Sequence, residues 1–135
     1  MKLVVDTNIL FSFFWRDSLT RELIKSNKFE IVCPKKAFEE INKYKEEIIR
    51  KTKIKESEFE FYLKEMKKIV RIIDKEEFSD FYGKAKEISP DKGDVDFLAL
   101  CLKEKSELWS NDSKLKEQKE IHVLNTGDII DVLFD

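Results

Sequence analysis

Glycine, histidine and cysteine are all scarce in this sequence, and each shortage removes a class of chemistry. The three glycines stand at positions 83, 93 and 127, so neither a phosphate-cradling P-loop nor a glycine-rich dinucleotide fingerprint can be built. His122 is the single histidine and sits inside the strand-like run IHVLN. No nucleophile elbow accompanies it, which leaves a serine-type triad without support and reads His122 as a structural or half-exposed strand residue. Cys33 and Cys101 are the only thiols. They offer neither a disulfide framework nor metal-ligand spacing, and a three-ligand zinc centre lacks donors. Their apolar surroundings suggest a reducing, cytoplasmic setting. Long hydrophobic runs are missing too: nothing approaches the roughly 20 apolar residues of a membrane span. The run LFSFFW is preceded by Asp6 and Asn8 and followed by no small-residue cleavage site, so a signal peptide is not expected.

What is present is a chain of 135 residues, 41% hydrophobic and 40% charged, which fits one compact domain with its own core. The net charge is only −2, but residues 35–71 hold 12 Lys/Arg against 8 Asp/Glu, and residues 72–100 hold 4 against 8. Mixed, solvated helix faces account for such an imbalance. A basic helical arm beside an acidic pocket also suits a polyanion whose phosphate sits on metal ions.

Strand-like runs occur at KLVV, EIVC, VRII, ELWS and HVLN, separated by stretches with helical periodicity. This alternation predicts an α/β domain with a mostly parallel central sheet of about five strands. Pro34 is placed to open a helix, along which Ala37, Phe38, Ile41, Tyr44, Ile48 and Ile49 form an apolar stripe. Phe59, Leu63, Met66 and Val70 form a second. Together they predict a helical hairpin at about 35–70, with KTKIKES as its turn. Val95 to Leu102 is apolar apart from Asp96, the mark of a helix covered on most sides.

With thiol, histidine and loop chemistry removed, carboxylates are left to carry any catalysis. In a parallel sheet the ligand crevice lies outside the carboxyl ends of the strands. Asp6 directly follows the run KLVV, and Asp112 follows ELWS by one residue, so both belong to that edge. A helix from Asp94 to Lys105 descends about 17 Å, and the strand from Glu107 to Asp112 climbs back about 17 Å, returning Asp112 to the level of Asp94. On the helix after Pro34, Glu40 lies roughly 100° from the apolar stripe and Glu39 roughly 160° away. Glu39 then faces water, while Glu40 can lean toward Asp6.

Such an acidic pocket is costly unless cations neutralise it, and oxygen-only ligands select hard ions such as Mg²⁺ or Mn²⁺. The matching reaction class is phosphodiester hydrolysis. Each acid taken singly is equally well explained structurally: Asp6 and Asp112 as helix N-caps, Asp91, Asp94 and Asp96 as acids at a helix N-terminus, Glu40 as one more solvated glutamate. The convergence of four on one edge favours the site.

At these residues the sequence resembles a known family. LVVDTNIL resembles the opening strand of the PIN domain family, and FEEI, GDVDFLAL and WSND resemble its three later acidic motifs in order, with 18 residues from Asp94 to Asp112. The closing IHVLNTGDIIDVL resembles its last strand and helix. The resemblance implies a single three-layer α/β/α PIN-like domain over residues 1–135, acting as a Mg²⁺- or Mn²⁺-dependent endoribonuclease on RNA. It assigns Asp6, Glu40, Asp94 and Asp112 as catalytic and metal-binding, with Asn8 and Ser110 as auxiliary residues. Many relatives are toxins resembling VapC, usually homodimers silenced by a small antitoxin protein; others process RNA without that partner. Asp96 stands where relatives often carry proline or another uncharged residue. Two helical steps turn it about 200° from Asp94, so it is left out of the site.

Two other readings compete. A phosphatase forming an aspartyl-phosphate after the first strand needs a second Asp two residues on, where this chain has Asn8. A catalytically inert PIN-type scaffold or protein-binding module needs no acids at all.

Overall fold

In the computed structural model, which describes residues 1–134, the five apolar runs form strands: β1 (Lys2–Val5), β2 (Glu30–Pro34), β3 (Arg71–Ile73), β4 (Glu107–Trp109) and β5 (Val123–Leu124). They hydrogen-bond in the order β3-β2-β1-β4-β5, and every pairing is parallel, with Val4 opposite both Val32 and Leu108. Leu3, Val4 and Val5 are all buried. A strand without alternation is one covered on both faces, the usual condition of a parallel sheet.

The helices follow from that order. Between β1 and β2 lie α1 (Thr7–Phe11) and α2 (Leu19–Lys25); between β2 and β3 lie α3 (Lys35–Lys43), α4 (Lys45–Thr52) and α5 (Glu56–Ile69). Next come α6 (Tyr82–Ile88) and α7 (Val95–Glu104), then α8 (Thr126–Phe134) after β5. Right-handed crossovers carry the chain from β1 outward to β3. It then returns to β4 on the far side of β1, and this reversal of direction sends α7 to the opposite face, where it packs across β1, β2 and β4. Helices on both faces make the fold a three-layer α/β/α one. The covering explains the composition of α7: Val95 through Cys101 are all buried, Asp96 included. The helix stops at Lys105, which takes a left-handed conformation at φ 54°.

The region 35–70 differs in detail from a simple hairpin. Its first arm is two helices, because the backbone bends at Tyr44 (φ −102°, ψ 18°). The bend leaves Ile41 and Ile48 in the core and Tyr44 outside it. The turn is shorter than KTKIKES: helix persists to Thr52 and resumes at Glu56. Ile54 is buried, so the turn is anchored in the core rather than being wholly polar. Lys45 Nζ donates to Glu56 at 2.9 Å and Glu60 at 2.8 Å, fastening α4 to α5.

Beneath α5 the ring of Phe59 stacks on Phe14 at 4.7 Å. Burying a phenyl ring completely contributes about 1.5–3 kcal/mol. Close by, the buried Arg21 donates from Nη1 to the carbonyl oxygens of Phe13 and Trp15 and from Nη2 to that of Arg16, with its guanidinium 4.2 Å above the ring of Tyr62. Among the described residues no carboxylate pairs with it. Its charge is satisfied by carbonyl dipoles and an aromatic face, and the turn over residues 12–16 is held rigidly as a result.

Candidate active site

Strand order reverses at β1, which has β2 on one side and β4 on the other. At such a switch point the two crossover connections leave in opposite directions and open a crevice outside the carboxyl ends. The crevice here is a cavity of ≈ 550 Å³ whose lining includes Asp6, Asn8, Glu40, Asp94 and Asp112.

Each acid reaches the cavity for a local reason. Asp6 ends β1 with its N–H bonded to the Trp109 carbonyl at 3.2 Å, and its side chain caps α1 by accepting from Ile9 N–H at 2.9 Å. Asp112 caps the short turn of residues 113–117, accepting from Lys114 N–H at 3.0 Å. Glu40 is half-buried on the flank of α3 while Glu39 is exposed, the placement their helical phase requires. Its carboxylate accepts from the Thr7 hydroxyl at 2.9 Å. Asp94 lies in the 3₁₀ turn Lys92–Asp94 that leads into α7, a turn nucleated by Asp91 accepting from Gly93 N–H.

Ser110 does not line the cavity but lies beneath it, 1% exposed. Its side chain lies near enough to the Asp6 carboxyl to draw it down, and its oxygen accepts from Asp112 N–H at 3.1 Å. One buried serine thus stands between two acids on neighbouring strands. Asn8 is exposed at the cavity wall. Asp96 faces elsewhere: it is buried and accepts from the Tyr82 hydroxyl at 2.6 Å, a bond that pushes the tyrosine up to about 12. His122 is also remote, exposed on β5's approach and paired with Glu107 at 2.5 Å. Burial pushes the Cys33 thiol up to about 12, which removes it as a nucleophile.

The acids repel one another. Burial raises the Asp6 carboxyl above its ordinary value, with Asp112 adding to the rise; hydrogen bonds from Ser110, Ile9 and Asn8 oppose it. Asp94 is pushed up to about 6, first by burial and then by the charges of Asp91, Asp112 and Asp6, with Lys36 pulling the other way. Lys36 is fixed there by donating to the Gly93 carbonyl at 3.3 Å.

The donor set fits a hard divalent cation: it is all oxygen, and burial together with neighbouring negative charge raises Asp6 and Asp94, a cost that a positive charge would relieve. Among the described residues, however, no three acidic, histidine or cysteine side chains stand close enough to form a ready-made metal site. Three of the four carboxylates are tied to a neighbour, Asp6 and Asp112 to backbone N–H groups and Glu40 to Thr7.

Three contributors were not evident from sequence. Thr7 holds Glu40; it is the middle residue of DTN, and only the contact across 33 positions reveals its role. Asn111 accepts from Thr126 N–H at 2.8 Å, and Trp109 Nε1 donates to Thr126 Oγ1 at 3.1 Å, so the motif WSND fastens the start of α8 as well as presenting Asp112. The rest of the cavity wall is mixed, with the rings of Phe11, Trp15 and Tyr44, the ion pair of Lys51 with Glu47, and the hydroxyls of Ser12 and Thr52 beside the acids.

Comparison with known proteins agrees with this fold. A family model described as the PIN domain matches residues 4–123. Among solved structures, the crystal structure of VapBC2 from Rickettsia felis bound to a DNA fragment from their promoter is similar in fold, with a TM-score of 0.69 over 93% of this chain and 98% of that one, at 18% sequence identity. No curated protein matches the chain. No helix of the described residues is long and apolar enough to cross a membrane.

Proposed function

We propose a function from the premise that the chain belongs to the PIN domain family: it is a divalent-metal-dependent endoribonuclease, with Asp6, Glu40, Asp94 and Asp112 as its acidic centre. The observation that carries this reading is the meeting of these four carboxylates, from β1, α3, the approach to α7 and the end of β4, around one cavity at the switch point of the sheet. RNA hydrolysis adds water across a P–O bond: hydroxide ends on phosphorus and the proton on the departing ribose oxygen. Bound magnesium or manganese would supply the charge that polarises the phosphodiester and makes water a competent nucleophile. The chain's own residues prepare for that. Ser110 stands between Asp6 and Asp112, Thr7 restrains Glu40, and Lys36 offsets part of the charge at Asp94. Asn8 stands at the wall where it can orient water or a phosphate oxygen.

The likeness to VapBC2 supports a finer reading, in which the chain is the toxin of a toxin–antitoxin pair, acting as a homodimer in the cytoplasm and silenced by a small antitoxin protein. The rival reading, an inert scaffold or protein-binding module, draws on the absence, among the described residues, of three acids close enough to share an ion. One experiment separates enzyme from scaffold: purified protein is incubated with single-stranded and structured RNA in Mn²⁺, in Mg²⁺ and in EDTA. Cleavage with either metal that EDTA abolishes, and that Asp6→Asn and Asp112→Asn remove while the fold persists, is the expected result. Intact RNA in every condition, together with no divalent ion bound in calorimetry, would establish the scaffold.

A further inference from the structure

Beside the acids, the cavity carries two aromatic side chains that the core leaves out, Trp15 and Tyr44, which are 49% and 38% exposed. Large aromatics belong in the core, and leaving two of them open on one cavity wall needs a reason. Both sit on fixed backbone. The Trp15 carbonyl accepts from the buried Arg21 at 2.7 Å, and Tyr44 occupies the bend between α3 and α4, its ring held edge-on against Phe11 with centroids 6.2 Å apart. Cations accompany them. Lys43 Nζ lies 5.4 Å from the centre of the Tyr44 ring, and Lys51 lines the cavity with its ammonium group solvent-exposed beside Glu47.

We propose that Trp15 and Tyr44 form a base-stacking subsite, which grips an unpaired nucleotide next to the phosphate presented to the carboxylates. The proposal rests on the nuclease reading of the same cavity. Flat aromatic faces on the wall, with Lys51 in it and Lys43 beside the Tyr44 ring, match a nucleotide in kind: the base takes the ring, a phosphate takes an ammonium group, and the acids repel the strand everywhere except where a metal ion sits. A base within a duplex already has both faces covered by its neighbours, so the wall selects single strands, loops or splayed ends. Arg21 fixes the backbone that carries Trp15, and Phe11 packs against the Tyr44 ring, which lessens the ordering the strand must impose.

The test measures binding in Mg²⁺ by tryptophan emission in an Asp6→Asn background, in which no cleavage is expected. Trp109 is fully buried and serves as a constant background, and Trp15→Phe removes the reporter. The probes are a short oligoadenylate, a ribose-phosphate chain of the same length without bases, and a blunt RNA duplex. Quenching and binding by oligoadenylate alone is expected, with Kd weakened on the order of tenfold by Trp15→Ala and by Tyr44→Ala. Tyr44→Phe should restore wild-type affinity, because the ring face and not the hydroxyl is used, and a merely structural role would not separate the variants in this way at equal thermal midpoints. Equal binding of the baseless chain or of the duplex, or alanine variants that bind like wild type, would overturn the subsite. Absence of binding by every probe would overturn it too and assign the wall to a protein segment. The two readings fail separately: metal-dependent cleavage without Trp15 quenching removes the stacking subsite and leaves the nuclease, whereas base-specific quenching in a protein that cleaves nothing supports the subsite and removes the nuclease.

Discussion

Replacing Asp94 with asparagine should stabilise the protein at neutral pH and leave its stability unchanged in acid. Asp94 is held at about 6 in the folded chain against 3.8 as an isolated side chain. Between those values the folded state binds the proton that the unfolded state has released, so stability falls as pH rises from below 4 through 6 and is flat above. Two units correspond to about 3 kcal/mol for a fully buried group. Asp94 is only half-buried, and solvent screening reduces the figure to about 1–1.5 kcal/mol. Asparagine, neutral at every pH, keeps the shape and discards the repulsion from Asp91, Asp112 and Asp6. Urea denaturation in EDTA at pH 4 and pH 7.5 measures the effect: the two proteins should coincide at the lower pH, and the variant should lead by about 1–1.5 kcal/mol at the higher. Millimolar Mn²⁺ at pH 7.5 should raise the wild-type midpoint and move the variant less, since the ion relieves the same repulsion. A variant that is no more stable at pH 7.5 than at pH 4, relative to wild type, would show that Asp94 does not share a field with the other acids.

Further outcomes follow from the same geometry. Glu40→Gln should reduce cleavage at least a hundredfold if Glu40 assists the metal centre, on the order found for groups acting in a transition state, whereas Glu39→Gln should leave kcat/KM within about twofold; equal losses would place the wrong glutamate at the cavity. Ser110→Ala strips the Asp112 N–H of its acceptor and Asp6 of a donor, which should cost about 1–3 kcal/mol in denaturation and displace the acid limb of the pH–rate profile upward; a profile that does not move would separate Ser110 from Asp6. Lys105→Gly should stabilise the fold by about 0.5–1 kcal/mol in thermal unfolding, because glycine adopts a left-handed C-terminal position without the side-chain clash. A lower melting temperature would mean that the Lys105 side chain contributes more than its backbone strain costs.

The strands were legible because burial on both faces leaves unbroken apolar runs, as KLVV and EIVC show, and because α7 could not be mistaken for a surface helix. The difference between Glu39 and Glu40 was legible for the same reason: a helical period converts one residue of sequence into 100° of direction. Legibility ended where contacts replace periodicity. Nothing in the stripe from Ala37 to Ile49 marks the bend at Tyr44, because both halves keep their apolar residues at compatible spacing. Thr7 reads as an ordinary helix-opening residue until the hydroxyl is seen on Glu40. The roles of Ser110 and Asn111 depend on which strands are neighbours, information that a linear pattern does not hold. The aromatic wall stayed hidden for a further reason: LFSFFW contributes Phe13 and Phe14 to the core and Trp15 to the cavity, and composition alone cannot tell the inward rings from the outward one.

The reversal of strand order at β1 also governs when the site comes into being during synthesis. Asp6, Glu40 and Asp94 are translated well before β4, yet β1 has no neighbour on that side until Glu107–Trp109 is laid beside it, and Asp6 has no hydroxyl beneath it until Ser110 arrives. A polypeptide halted short of that point carries at most three of the four acids, and the fourth arrives together with the strand that seats it beside β1.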